Sequence, residues 1–406
     1  MTRTLRLLLG TAALLASATL AQAEPVTLEV WTHDEDETKF TYVFVKEFQA
    51  QHPDITVNLK HVNFADVVND AMRAYAAGSA PDVIGIDNPE TAMFAARNVL
   101  LDLSPYVEQS QVIKADAFYP GPRNSSTWDG KLFAIPRASN TLALYYNADM
   151  FKAAGLDPDK PPQTWDDLYQ AAKKLTDPAK NVYGLAFSAI GTEEGTFQFL
   201  PFIQSAGADY DSVGSDGAVR ALEFWQKLLD EKLASPDTLI RSQYDSTGTF
   251  NAGNAAMAIS GPWELPRMAK EAKFDWRVAL FPIEKDGSPR ASALGDFNNV
   301  IFKTSKHPKE AFMLLEYIYS QNHRIWNEFG LLPPVQDAKA DSPQWPKAYA
   351  VFTEQMQYAR PRGPNPDWPK ISKAIQTAIQ SALTHQSDPK TALQTAQATI
   401  DRVLKK

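Results

Sequence analysis

The sequence contains no cysteine among its 406 residues. This absence excludes disulfide bonds, a lipid anchor attached to cysteine and thiol chemistry, so the fold must be stabilised by packing. The sequence also lacks the motifs of a serine-nucleophile elbow, a phosphate-binding loop and an HExxH metal site. We therefore expect no catalytic residues of these classes, no bound metal and no cofactor.

Long apolar runs are absent beyond the start of the chain. Arg3 and Arg6 precede an apolar run, Leu7 to Leu20, and Ala21 to Ala23 has the small-x-small pattern of a cleavage site. The run is too short to span a bilayer comfortably, and the whole segment is typical of a secretory signal peptide. We predict a signal peptide over residues 1–23, a mature periplasmic protein beginning at Glu24, and no stable membrane insertion.

Basic residues are fewer than acidic ones, with 40 Lys and Arg against 48 Asp and Glu. The formal net charge is −8, and loss of the two signal-peptide arginines would make it −10. Such a balance makes nucleic acid and anionic membrane surfaces poor partners. A length of 406 residues exceeds the size at which a single core usually stops growing, so two domains are expected. We expect the protein to be a monomer.

The first part of the chain alternates predicted strands with predicted helices. The strands are Val26 to Thr32, Ile55 to His61 and Asp82 to Ile86. This βαβαβ order predicts a largely parallel sheet with ligands at the carboxyl ends of its strands. His33, Asn63 and Asp87 each follow such a strand end, so a convergent site is expected there.

The segment from Leu132 to Asp157 predicts a crossing between two lobes. Thr141 to Tyr146 has the apolar and β-branched composition of a buried strand, Asn147 is a good N-cap, and Ala148 to Ala154 predicts a short helix. A second α/β alternation follows. The extended run Ala293 to Phe302 predicts a return to the first lobe, and after residue 335 only helices are predicted. We therefore predict an N-terminal lobe from residues 24–138 and 292–335, and a C-terminal lobe from residues 139–291 and 336–406.

Several segments together resemble a known family. They are VTLEVWT, GSAPDVIGID, WDGKLFAIPRASNTLALYYNADMFKAAG, TWDDLYQAAKKL, FNAGNAAMAISGPWE, ALGDFNNVIF, HPKEAFMLLEYI and YARPRGPNPDWPKI. In this order they resemble the extracellular solute-binding proteins of carbohydrate ABC transporters, the family of maltose, trehalose/maltose and glycerol-phosphate binders. The resemblance covers nearly all of the mature chain. It implies the two-lobed periplasmic binding protein fold, with a mainly parallel sheet flanked by helices in each lobe. It also implies a carbohydrate held in the cleft between the lobes and delivered to permease subunits.

Candidate ligand contacts follow from the strand ends and from the resemblance. Asp87 lies where the family commonly has a ligand carboxylate, although it could instead cap a helix. One or two of His33, Asp34 and Glu35 are expected to face the cleft, although acids at the start of a helix also suit its dipole. For Asn63, an ordinary turn role is equally open.

The remaining candidates lie at the crossing and in the second lobe. Asn140 occupies a crossing position where related binders often have an acid. Trp263 is the expected stacking platform for a sugar face, the alternative being a core tryptophan. Gly295, Asp296 and Phe297 replace the family's Gly-Gly-Trp-like turn, so Asp296 is expected to contact the ligand there.

Two arginines extend the range of ligands that the sequence allows. Arg360 and Arg362 lie in the segment that resembles the family's source of a ligand-binding arginine, and one of the two is expected in the site. Two guanidinium groups could also select an anionic sugar, such as a sugar phosphate, sulfonate or uronate.

Three other functions remain open from the residues alone. Tyr145 and Tyr146 resemble the adjacent tyrosines of periplasmic ferric-ion binders, although strand neighbours point to opposite faces, so at most one can face the cleft. Carboxylates near a sugar cleft could serve a glycoside hydrolase. A polyamine binder would suit an acidic cleft, but the two arginines disfavour a cationic ligand.

Overall fold

The computed structural model describes residues 25–336, 338 and 343–405. The predicted signal peptide lies outside the described residues. The strands are β1 Val26–Thr32, β2 Ile55–His61, β3 Val83–Asp87, β4 Thr127–Trp128, β5 Lys131–Leu132, β6 Ala134–Pro136, β7 Ala143–Asn147, β8 Tyr183–Ala186, β9 Ala255–Ser260, β10 Trp276–Ala279, β11 Ser292–Ala293, β12 Phe297–Ile301 and β13 Ala359–Arg360.

The helices alternate with these strands and then close the chain. They are α1 Phe40–Gln51, α2 Val67–Ala76, α3 Thr91–Ala96, α4 Ser104–Gln109, α5 Pro120–Ser125, α6 Ala148–Ala153, α7 Trp165–Leu175, α8 Glu193–Ser205, α9 Asp216–Asp230, α10 Gln243–Asn251, α11 Leu265–Glu271, α12 Pro308–Ser320, α13 Ile325–Phe329, α14 Pro346–Met356, α15 Trp368–Leu383 and α16 Pro389–Leu404. Among the described residues, no helix combines the length and apolar character that a membrane span requires.

The N-terminal lobe is built on a five-stranded sheet in the order β2-β1-β3-β12-β6. Strand β1 is parallel to β2 and β3, whereas β12 is antiparallel to β3 and β6. Side chains of α1 and α12 pack on one face of this sheet, and those of α2 and α3 pack on the other. The carboxyl ends of β1, β2 and β3 therefore lie at one edge, as the βαβαβ pattern predicts.

The C-terminal lobe is built on a four-stranded sheet in the order β10-β7-β9-β8. Helices α7, α8, α9, α15 and α16 pack on one face, and α10, α11 and α14 cover the other. Each sheet is thus enclosed by helices on both faces, and the predicted two-lobed α/β architecture is confirmed.

The sheets are mainly parallel in strand direction, as predicted, but each contains one strand that runs against the others. In the C-terminal lobe β8, β9 and β10 run in one direction, and β7 is antiparallel to both of its neighbours. In the N-terminal lobe β12 is antiparallel to both neighbours. Strands β7 and β12 both follow a crossing from the other lobe. They therefore lie outside the strand–helix–strand units that produce parallel pairing.

Three segments of the chain cross between the lobes and lie side by side, around Ser139, Gly295 and Leu332. Backbone bridges join Ser139 to Leu332 and Asn140 to Gly295. A further short ladder pairs β11 with β13, so the prediction that only helices follow residue 335 is wrong. The residue limits given above for the two lobes stay a prediction.

Local capping explains why the elements begin where they do. The Asn147 side chain accepts hydrogen bonds from the backbone N–H groups of Asp149 and Met150, and so starts α6. Thr164 and Asp167 form a capping box at the start of α7. The amphipathic pattern of the sequence predicts helices over Phe40 to Gln51 and Trp165 to Leu175, and α1 and α7 have these limits.

Candidate ligand-binding site

A cavity of about 370 Å³ lies between the two lobes. The N-terminal lobe contributes the loops that follow β1, β2 and β3, and the C-terminal lobe contributes the starts of α8 and α10 and the turn before α11. The crossing segments contribute further residues. The cavity is lined by His33, Asp34, Glu35, Thr38, Lys39, Phe40, His61, Asn63, Phe64, Asp87, Arg137, Asn140, Glu193, Glu194, Phe197, Gln243, Tyr244, Trp263, Pro266, Arg267, Gly295, Asp296, Phe297, Glu328, Phe329, Leu331 and Arg362.

One wall of the cavity is organised by the buried side chain of Arg137. Its Nη1 lies 3.3 Å from both carboxylate oxygens of Asp34, and its Nε donates to Oδ1 of Asp296 at 3.2 Å. The other oxygen of Asp296 accepts from Nδ2 of Asn140 at 3.0 Å. Burial would raise the pKa of Asp34, but Arg137 and His33 outweigh it and hold that pKa well below its usual value. The acids on this wall are therefore fixed by protein partners.

An aromatic pair covers the same wall. The His33 and Phe297 rings are stacked, with centroids 3.5 Å apart and planes inclined by 12°. Burial lowers the pKa of His33 to about 3, and Arg137 adds to the effect while Asp34 opposes it. His33 is thus a neutral imidazole at neutral pH, and its buried Nδ1 has no hydrogen-bond partner in the described structure.

A second buried ion cluster joins the two lobes. Arg362 donates to both oxygens of Asp87 at 2.6 Å and to Oε1 of Glu193 at 2.7 Å. Arg362 and Asp87 are both almost fully buried. Burial would lower the pKa of Arg362, but Asp87 and Glu193 raise it above its ordinary value. The guanidinium is therefore permanently charged and is neutralised by protein carboxylates.

The C-terminal lobe supplies an apolar wall. Trp263 is half-buried, and its ring centroid lies 6.5 Å from that of Phe197. A Cβ on Gly261 would lie 1.9 Å from the Trp263 ring, so only glycine allows this ring position. A Cβ on Gly295 would similarly lie 2.1 Å from Oδ1 of Asn140. Both glycines therefore shape the cavity through close approach.

The lining carries an excess of negative charge. Seven carboxyl side chains line it: Asp34, Glu35, Asp87, Glu193, Glu194, Asp296 and Glu328. Only four cationic side chains do so: Lys39, Arg137, Arg267 and Arg362. Two of these cations, Arg137 and Arg362, are held between carboxylates. The cavity therefore favours a ligand that donates hydrogen bonds over one that carries negative charge.

Comparison with known proteins agrees with this two-lobed arrangement. The family model for bacterial extracellular solute-binding proteins matches residues 32–322. The chain belongs to this family. A binding protein of Brucella abortus (strain 2308), whose name states no ligand, is 25% identical over 98% of both chains. The sn-glycerol-3-phosphate-binding periplasmic protein of Escherichia coli is 28% identical, covering 69% of this chain and 67% of that one.

A solved structure matches this solute-binding protein over most of its length. It is an ABC transporter solute-binding protein of Thermotoga lettingae bound with α-D-tagatose, with a TM-score of 0.83 and 27% identity. The match covers 93% of this chain and 100% of that one. The predicted family and the two-lobed binding-protein fold are thereby confirmed. The family consists of binding proteins.

Most of the predicted contact positions in the solute-binding protein lie at the cavity. Those that line it are His33, Asp34, Glu35, Asn63, Asp87, Asn140, Trp263, Gly295, Asp296, Phe297 and Arg362. Arg360 does not line it. The Arg360 side chain is 40% exposed and pairs with Asp209 at 3.4 Å, so of the two arginines only Arg362 faces the cleft. Contact of these residues with a ligand stays a prediction.

Several residues that line the cavity were not predicted from the sequence. Arg137, Glu193, Phe197 and Tyr244 belong to this group. Glu193 lies at the first position of α8, whereas the apolar pattern of the sequence predicts a helix only from Phe197 to Ser205. Arg137 directly follows the strand that leads into the first crossing, and that position was the one local signal for it.

The two adjacent tyrosines of β7 do not line the cavity. The Tyr145 hydroxyl donates to the carbonyl of Gly261 at 2.7 Å, and that of Tyr146 donates to the carbonyl of Pro158 at 2.9 Å. Their rings pack in different cores on the two faces of the sheet. Over residues 25–336, 338 and 343–405, no group of His, Asp and Glu side chains is arranged to hold a metal ion. The geometry gives no support to iron binding by this pair.

Glu264, next to Trp263, should make the stability of this protein depend on pH. Burial raises the pKa of Glu264 from 4.5 to about 7, although Arg267 at 2.7 Å opposes the shift. The raised pKa means that ionisation destabilises the folded state. The penalty is absent below pH 4.5, grows as the pH rises towards 7, and then stays constant. Its full size is about 3 kcal/mol.

Glu264→Gln should remove this penalty. The free energy of unfolding of the variant, relative to wild type, should rise by about 3 kcal/mol between pH 4 and pH 8. Denaturant unfolding at several pH values measures the difference. Parallel pH curves for the two proteins would show that burial does not raise the pKa of Glu264 above its value in the unfolded chain.

Proposed function

We propose that this protein captures a neutral carbohydrate in the interlobe cavity and delivers it unchanged to the permease of an ABC transporter. The lining of the cavity is the observation that carries the proposal. It combines aromatic faces at Trp263 and the His33–Phe297 pair with an excess of carboxylates. Sugar hydroxyls donate to carboxylates, and sugar C–H faces pack on aromatic rings.

The comparisons support the carbohydrate class. The related Thermotoga lettingae protein was solved with α-D-tagatose bound. The relative from Escherichia coli is named for sn-glycerol-3-phosphate, so an anionic ligand is the principal alternative. The negative excess in the cavity and the pairing of Arg362 with two carboxylates favour a neutral one. We further propose a periplasmic monomer with a cleaved signal peptide and no catalytic activity.

A hinge between the lobes would let the ligand enter the cavity and leave it again. The three crossing segments would rotate together because backbone bridges join them at Ser139 and Asn140. Ligand favours the closed form only to the extent that it makes more contacts there. The permease would then recognise the closed pair of lobes.

A thermal-shift screen tests the ligand class. Neutral sugars and polyols, the corresponding anionic sugars, and a polyamine are added separately at equal concentration. At least one neutral compound should raise the melting temperature in proportion to the logarithm of its concentration, because a ligand stabilises by mass action. A shift with anionic sugars alone would contradict the neutral assignment. Release of reducing sugar from a glycoside panel would contradict the binding function itself.

A further inference from the structure

The guanidinium of Arg362 has no N–H group left for a ligand. Its Nη1 donates to Oδ2 of Asp87 and to Oε1 of Glu193, and its Nη2 donates to Oδ1 of Asp87 and, at 3.4 Å, to Oδ1 of Asn88. Its Nε donates to the carbonyl of Leu294 at 3.4 Å. A guanidinium carries five N–H bonds, and each of them has an acceptor here.

These acceptors belong to both lobes. Asp87 ends β3 of the five-stranded sheet, and Asn88 follows it. Glu193 begins α8, whose side chains pack in the core of the C-terminal lobe. Arg362 is held on that side by Glu193 and by Phe197, whose ring centroid lies 4.7 Å from the guanidinium carbon. The bidentate pair with Asp87 therefore connects the C-terminal lobe to the N-terminal lobe.

Contacts within each lobe hold the side chains of Glu193 and Asp87 in the positions that pair with Arg362. Glu193 is fixed by Nε1 of Trp368 at 3.1 Å and by the hydroxyl of Ser372, both on α15. The Asp87 carboxylate also accepts from the backbone N–H of Asn88 at 2.9 Å. Because both ends are anchored within their own lobes, no ligand is needed to orient them.

We propose that Arg362, Asp87 and Glu193 form a latch that holds the two lobes together without ligand. Opening the cleft would leave Asp87 without its cation or would pull Arg362 away from Glu193. Neutral ligands leave the latch intact, whereas an anionic ligand would have to displace a carboxylate from Arg362. The latch itself is independent of the proposed carbohydrate function.

The test measures the separation of the lobes in the ligand-free protein. The natural sequence has no cysteine, so Ala77→Cys and Ala153→Cys, both at exposed positions on different lobes, can be spin-labelled specifically. Wild type should show mainly one short distance. Arg362→Gln and Asp87→Asn should each lower the population of the closed form about tenfold or more, because each removes the buried ion pair between Asp87 and Arg362 that joins the lobes. The double variant should open no further than either single variant.

Arg360→Gln is the matched control. Arg360 lies two residues from Arg362, but it pairs with Asp209 outside the cavity, so its loss should leave the distance distribution unchanged. Small-angle scattering of the unlabelled proteins gives a second measure, and circular dichroism shows that each variant is folded. A wild-type protein that is already open, or an Arg362→Gln variant as closed as wild type, would overturn the latch. Because no sugar enters this experiment, its failure would leave the proposed function untouched.

Discussion

Replacing Arg137 with leucine should lower the free energy of unfolding by about 3–5 kcal/mol. Arg137 lies between Asp34 and Asp296, and the side chains of all three residues are less than a tenth exposed. Burying two carboxylates is tolerable only while the cation between them is present. The guanidinium of Arg137 also lies 4.6 Å from the Phe40 ring and 4.9 Å from the Phe297 ring, so the Arg137→Leu variant loses this packing as well. Denaturant unfolding at neutral pH measures the effect.

A second substitution separates lost charge from lost volume. Asp296→Asn alone should destabilise the protein, because it weakens the bond to Arg137. In the Arg137→Leu background the same change should stabilise it, because it removes one of the two uncompensated charges. Arg97→Leu, at an exposed position, is the control and should change stability by no more than about 0.5 kcal/mol. If Asp296→Asn lowers the free energy of unfolding equally in wild type and in the Arg137→Leu variant, the stability lost in Arg137→Leu does not come from the ion cluster.

Replacing Trp263 with alanine should weaken carbohydrate binding by about 5-fold to 150-fold. The ring presents a large apolar surface to the cavity, and stacking between an aromatic face and a flat ligand contributes about 1–3 kcal/mol. Isothermal titration with the sugar found by the thermal-shift screen measures the change. Trp263→Phe should retain part of the affinity, because it keeps an aromatic face of smaller area.

Stability must be measured beside affinity, because Trp263 also packs against the edges of both lobe cores. Trp225 is the matched control, since it is fully buried in the C-terminal lobe and lies away from the cavity. Trp225→Phe should lower the melting temperature while leaving the affinity of the folded protein unchanged. A Trp263→Ala protein that melts earlier but binds as tightly as wild type would show that Trp263 serves the core alone.

Local sequence patterns were sufficient for most elements and for part of the site. Periodicity and capping located α1 and α7 to the residue, because the signals for a helix lie within a few positions of its ends. The strand-end residues His33, Asn63 and Asp87 were placed together because the order of strands in a βαβαβ unit fixes which ends meet. Strand direction after a crossing carries no such local signal, which explains why the reversed strands β7 and β12 were not predicted.

The two ion clusters were not predicted, because their members lie far apart along the sequence. Arg137 lies 103 positions from Asp34 and 159 from Asp296, and Arg362 lies 275 positions from Asp87. Pairing over such separations leaves no pattern within any short window. The sequence therefore suggests a ligand contact for an arginine near the predicted cleft, but no short-range pattern shows that Arg362 pairs with the carboxylates of Asp87 and Glu193.

The core of the C-terminal lobe has a consequence for how the chain acquires its structure. Leu142, in the first crossing, shares that core with Leu393 and Ile400, both in the final helix. The lobe thus cannot be completed until α16 has been synthesised. On the proposed route out of the cytoplasm, we expect a chain with one lobe still incomplete to pass through a translocation pore more readily than a fully folded one.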